Sequence, residues 1–138
     1  MDRFVLGFAY TLDGRVLLIR KNRPQWQAGL LNGIGGHVEE GENIYDAMDR
    51  EAKEETGLEL NWDYVGQMVG VNNDSNSFTC DIFFARSEDV IDFKQMEDQP
   101  LALYGFHDLL GVDCINNVPY IVLIGLSNDN FKFIRIEY

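Results

Sequence analysis

Residues 35–58 read GGHVEEGENIYDAMDREAKEETGL and hold eight carboxylates. Three of them, Glu51, Glu54 and Glu55, stand at the three- and four-residue spacings that bring side chains onto one face of a helix. On a wheel of about 100° per residue, Glu55 falls about 40° to one side of Glu51 and Glu54 about 60° to the other. Ile44, Ala47, Met48 and Leu58 share that arc, whereas Asp46, Asp49, Arg50 and Lys53 point away from it. A helix buries its apolar arc, so the wheel sets all three glutamates on the buried side. Like charges so close repel, by about a few tenths of a kcal/mol when exposed and more when desolvated. Two remedies are open: a carboxyl keeps its proton through a raised pKa, or divalent cations occupy the cluster. Mg²⁺ prefers oxygen ligands and is held by a few carboxylates together with substrate phosphates. One cation would answer both the repulsion and the difficulty of bringing a polyphosphate to an acidic protein.

The elements that must hold this helix can be read around it. Phe4 to Thr11 and Arg15 to Lys21 are apolar, β-branched runs joined by Leu12, Asp13 and Gly14, a hairpin signal. Asn22 to Gly29 reads as a surface loop, and LNGIGG (31–36) places three glycines where backbone can approach backbone or ligand. A helix is expected over Ile44 to Thr56 with Gly57 as its stop. Tyr64 to Val71 and Phe78 to Arg86 read as strands joined by the turn NNDSN (72–76), and Leu101 to Phe106 as another. Val118 to Leu126 follows Asn116, Asn117 and precedes the alternating tail FKFIRIEY (131–138); it reads as a capped helix, with a strand as the alternative. Helices interspersed among strands predict an α/β or α+β layered protein. Length fits one domain, residues 1–138, with no repeat or linker.

Composition narrows the partners. The chain carries 11 Lys and Arg against 23 Asp and Glu, a net charge of −12, which opposes binding to polymeric nucleic acid. The apolar runs are too short to span a bilayer, the first residues lack a secretory pattern, and Cys80 and Cys114 have neither metal-ligand nor disulfide spacing. A cytoplasmic protein with reduced thiols, without membrane association, is expected. His37 and His107 lie in no metal or triad arrangement, and surface roles are expected for both.

The acidic segment resembles the Nudix box: Gly36, Glu42, Arg50, Glu51, Ala52, Glu54, Glu55, Gly57 and Leu58 fall in its order and spacing. Seven of these are fixed identities, a coincidence of roughly one in 10⁸ start positions at average residue usage. Ala52 is smaller than the usual aliphatic at its place. The resemblance implies an α/β/α sandwich with a mixed β-sheet and Mg²⁺-dependent hydrolysis of a nucleoside diphosphate linked to another group, with Mn²⁺ able to substitute. It further implies that Glu51, Glu54 and Glu55 hold the metal with the Gly35 carbonyl, and that Arg50 orients the glutamates. Glu42 would support the loop or an outer-shell water.

Outside the box, shorter patches resemble the MutT branch, which hydrolyses 8-oxo-dGTP and related triphosphates. Asn32 in LNGIGG would read a purine base, or else form a turn beside Gly33. Glu97 in EDQP would add a metal contact or act as base, or else be a solvated loop acid. Asn117 would contact the base, or else cap a helix; Arg20 would contact phosphate, or else form an edge salt bridge. Trp26 would stack on a base or cover the core edge. The resemblance thus implies hydrolysis of a nucleoside triphosphate to monophosphate and pyrophosphate by a monomer or homodimer, with Glu51 or Glu97 as base. A dinucleoside polyphosphate, a nucleotide sugar or ADP-ribose are alternative substrates, although no proline follows the box as is common in ADP-ribose hydrolases. A non-catalytic binding module on the same fold is the alternative of another class, and retention of all the box glutamates speaks against it.

Overall fold

A computed structural model describes residues 1–72, 74–127 and 133–138. Its central strand, β1 (Asp2–Tyr10), is apolar on both faces because each face carries a layer. Val5 and Ala9 enter one core; Leu6, Phe8 and Tyr10 enter the other. The same alternation divides β2 (Val16–Arg20), with Leu17 and Ile19 on the first side and Val16 and Leu18 on the second.

After β2 come β3 (Leu31–Asn32), β4 (Ile34–His37), the helix α1 (Ile44–Thr56), β5 (Asp63–Val71), β6 (Ser77–Arg86), β7 (Leu101–Tyr104), the helix α2 (Val118–Leu126) and β8 (Ile134–Glu137). Short 3₁₀ turns lie at Gln25–Gln27, Glu88–Asp92 and Phe106–Gly111. The sheet has eight strands in the order β3-β2-β1-β6-β5-β8, with β4 against β1 and β7 against β2. It is mixed: β1–β6 and β5–β8 are parallel, the other pairs antiparallel. Ala47, Met48 and Ala52 of α1 pack on one face, and Val118, Ile121 and Val122 of α2 on the other. The protein is an α/β/α sandwich. Tyr10 fixes the second layer, since its buried hydroxyl donates to the Val122 carbonyl at 3.0 Å.

The expected hairpin is present but short. Only Ala9 and Tyr10 pair with β2, because Phe4 to Gly7 pair with β4 instead. Residues 118–126 form the helix rather than the strand: Val118, Ile121 and Val122 cover that face together with Phe106 and Leu109, and β-branched residues pack there as well as in a sheet. The strand expected to reach Phe106 stops at Tyr104, where a 3₁₀ turn begins. Of the tail, Ile134–Glu137 is β8, while Phe131 and Lys132 lie outside the described residues, as does Asn73 of the NNDSN turn. Among the described residues no helix is long and apolar enough to cross a membrane. Cys80 and Cys114 are free thiols.

Candidate active site

α1 begins at Asn43, whose side-chain oxygen accepts the Asp46 N–H at 2.9 Å, and ends at Gly57 in the left-handed region, φ 71°. Its inner surface meets β4, where glycines let helix and strand touch. A Cβ on Gly35 would collide with the Val5 carbonyl, and one on Gly36 with the Glu51 carboxylate. The glycine pair therefore brings carboxylate oxygen directly against strand backbone.

Glu55 is buried, and its Oε1 accepts the Gly35 N–H at 3.0 Å. Burial, then the Glu51 charge, push its carboxyl up to about 8, against smaller opposing pulls from Lys21 and the Gly35 hydrogen bond. Glu51, 14 % exposed, is also raised by burial, although Arg50 counters it. Burial thus pushes both carboxyls in the direction of the first remedy read from the sequence, a retained proton. Glu54 corrects the wheel: its side chain is 50 % exposed. The wheel took its apolar arc from Ile44, Ala47, Met48 and Leu58. The residues actually buried include Ala52 and Thr56, which turn the inner face away from Glu54 and leave it on the rim.

Arg50 ties the acids together. Its Nε and Nη2 donate to the two oxygens of Glu42 at 2.9 and 3.0 Å, Nη1 donates to Glu51 at 3.0 Å and Glu54 at 3.3 Å, and Nη2 also donates to the His37 carbonyl at 2.9 Å. This fork holds Glu42 at about 2, well below the usual carboxylate range. Among the described residues no three His, Cys, Asp or Glu side chains are gathered into a ready-made cation cage. The reason is visible in the contacts: Arg50 draws Glu51 and Glu54 toward itself, while Glu55 turns to Gly35.

Glu97 reaches this site from the coil before β7. That coil is tied to the end of α1, where the Glu55 and Thr56 carbonyls accept the Met96 and Lys94 N–H at 3.5 and 2.9 Å. The Glu97 charge is near enough to raise Glu55 further. The remaining candidates lie elsewhere. Arg20 donates to the Gly29 carbonyl at 3.0 Å, a loop contact instead of the edge salt bridge considered above. Asn32 accepts its neighbour's N–H, from Gly33, at 2.8 Å. Asn117 sits at the N-cap of α2 with φ 73°, yet caps nothing with its side chain, which donates to the Tyr138 hydroxyl at 2.6 Å. The segments that carry Asn32 and Asn117 meet, since the Ile115 N–H donates to the Leu31 carbonyl at 2.9 Å. Trp26 is 66 % exposed and covers no core edge.

Two cations overlooked in the sequence belong to this region. Lys21 continues the Leu17, Ile19 alternation and so falls on the α1 face, where its charge lowers Glu55. Period-2 counting along β2 would have found it. Arg23 pairs with Asp98 and Glu97 at 3.0 and 3.8 Å, a contact between distant loops that no local pattern signals.

Fold and site together define an α/β/α protein with an oxygen-rich helix end suited to a hard cation. A family model, the NUDIX domain, matches residues 3–108. The chain belongs to the Nudix family of hydrolases acting on phosphoric anhydride bonds. Its fold is MutT-like. The MutT protein from Bacillus halodurans is 21 % identical, with a TM-score of 0.72 over 100 % of this chain and 90 % of that one. The E. coli ORF135 protein is 22 % identical, with a TM-score of 0.71 over 94 % and 95 %. The NUDIX domain of Shewanella oneidensis NrtR, in complex with ADP ribose, is 14 % identical, with a TM-score of 0.72 over 88 % and 83 %.

Proposed function

We propose that this single-domain protein hydrolyses a nucleoside triphosphate, with an oxidised purine of the 8-oxo-dGTP kind as the leading candidate, to the monophosphate and pyrophosphate. The observation that carries the reading is the meeting of Glu51 and Glu55 with the glycine pair of β4, beside Glu54 and within reach of Glu97. A divalent cation fits this donor set. All the side-chain donors are hard oxygens, and Glu55 keeps a proton that a cation would displace. Glu51, Glu54, Glu55, Glu97 and the Gly35 carbonyl would hold Mg²⁺, with Mn²⁺ as substitute. When bound, the ion polarises phosphoryl oxygens and activates water.

The chain's own groups divide the remaining work. Arg50 holds Glu51 and Glu54 through the same nitrogen, Nη1, and Lys21 supplies positive charge for a phosphate that the net charge of −12 would otherwise repel. Glu51 or Glu97 is the base, taking the proton from the attacking water. Arg20, Asn32 and Asn117 are the substrate-contacting candidates. The setting proposed is cytoplasmic, with the protein a monomer or homodimer and a free nucleotide as partner.

A panel containing 8-oxo-dGTP, the ordinary dNTPs, ADP-ribose and a diadenosine polyphosphate, assayed with Mg²⁺ for both phosphate and pyrophosphate, tests this. Pyrophosphate release that stops on chelation is expected from a triphosphate. Preferential turnover of ADP-ribose, which NrtR binds on a similar fold, would replace the substrate assignment. Chelator-insensitive silence across the panel would replace catalysis with binding.

A further inference from the structure

The coil from Phe93 to Pro100 contains neither helix nor strand, and most of its side chains are exposed, yet it is anchored at both ends. At its start, the Lys94 and Met96 N–H groups donate to the last carbonyls of α1. At its end, the Pro100 carbonyl accepts the Arg20 N–H at 2.8 Å, and the Gln99 side chain, only 4 % exposed, accepts the Asn22 N–H at 2.9 Å. Glu97 lies between these anchors, and nothing in the backbone fixes its flexible side chain. At the cluster, Glu55 is the acid on which the Glu97 charge acts.

Arg23 is the cation that pairs with Glu97. Its Nη1 donates to both Asp98 oxygens, at 3.0 and 3.2 Å, and to the Asn22 side-chain oxygen at 2.8 Å, while Nη2 stands 3.8 Å from Glu97 Oε2. A planar guanidinium held at three acceptors has little freedom left, and it presents a fixed positive charge to Glu97. Its Nη1 is already engaged by protein oxygens, so its effect on the site passes through Glu97. Exposed ion pairs of this kind contribute little to stability, and the contact should therefore register at the site and not in the fold.

We propose that Arg23 is the positioning residue for Glu97: it couples the loop after β2, which carries Trp26, to the coil before β7, and holds the Glu97 carboxylate toward the α1 cluster. This rests on the reading of Glu97 as a member of that cluster. The test is a titration with Mn²⁺ alone, without nucleotide, following free Mn²⁺ by electron paramagnetic resonance. Arg23→Ala and Glu97→Gln should each weaken Mn²⁺ binding by a similar factor, about tenfold, with melting temperatures close to wild type. The double variant should be no weaker than either single one, and Arg23→Lys should recover part of the loss. Losses that multiply in the double variant, or wild-type Mn²⁺ binding in Arg23→Ala beside weakened binding in Glu97→Gln, would overturn the role of Arg23 and leave the cluster standing. Wild-type binding in Glu97→Gln would instead remove Glu97 from the cluster, and the positioning role with it.

Discussion

Two regions of the molecule hold their polar residues in different ways. On the α1 face, Glu42, Glu51 and Glu54 converge on one guanidinium and Glu55 on a strand N–H, so each acid is held by a charged or buried partner. In β2, β3 and at the start of α2, Arg20, Asn32 and Asn117 each rest on a single neutral group: a carbonyl, an adjacent N–H and a tyrosine hydroxyl. Charge-assisted contacts at short sequence spacing fix geometry and leave a recognisable pattern. Single neutral contacts do neither, and a ligand can replace them at little cost. This is why the reaction class is far better specified by the chain than the nucleotide is.

The division can be broken, and its strongest test is Glu54→Gln. Turnover should fall by about 100-fold or more, while the metal-free melting temperature holds or rises, because a charge leaves a crowded cluster. Wild-type turnover would remove Glu54 from the reaction.

Arg50→Ala should come next, with about 1–3 kcal/mol of lost stability as Glu42, Glu51 and the His37 carbonyl lose their shared donor, together with reduced turnover. Arg50→Lys should recover little of either, because a point charge cannot reproduce the two-oxygen grip on Glu42. Full rescue by lysine would mean that charge alone suffices.

A smaller effect is expected in chelator as pH changes. Between 4.5, the ordinary value for its carboxyl, and about 8, folded protein keeps a proton on Glu55 that the unfolded chain has released. Its contribution is therefore fully present below about pH 4.5 and is lost as pH rises through about 8. Wild-type melting should fall by a few degrees across that window relative to Glu55→Gln, and parallel curves would exclude the retained proton. The smallest effect is assigned to Asn117→Ala: about 1 kcal/mol from the lost Tyr138 contact, with KM altered more than kcat. A kcat loss as large as that of Glu54→Gln would erase the distinction between the two regions.

The legible parts of the molecule are those where one short segment determines the outcome. α1, its Asn43 and Gly57 boundaries and the order of its acids follow from residues within one helix. The wheel nonetheless misplaced Glu54, because the buried arc is set by what β4 and the first core present to the helix, which no helix sequence contains. β3 and β4 hide in LNGIGG for a related reason: glycines are poor strand formers, and they pair here because β1 accepts them at close approach. The Arg23 contact spans 75 positions and has no local signature at all. Residues 118–126 read as a capped helix with a strand as the alternative, and packing with the 3₁₀ turn over the second core settles the helix.

The pairing of β1 with β6 has a kinetic meaning. Each of its nine residue pairs joins positions 76 apart, Asp2 to Phe78 through Tyr10 to Arg86. A chain leaving the ribosome has therefore already delivered α1 before the strand that completes the sheet beneath it exists. Such non-local pairing slows folding, so the acidic helix must remain soluble while it waits. The charges that later gather at its inner face are well suited to keep the unfinished chain from associating in the interval.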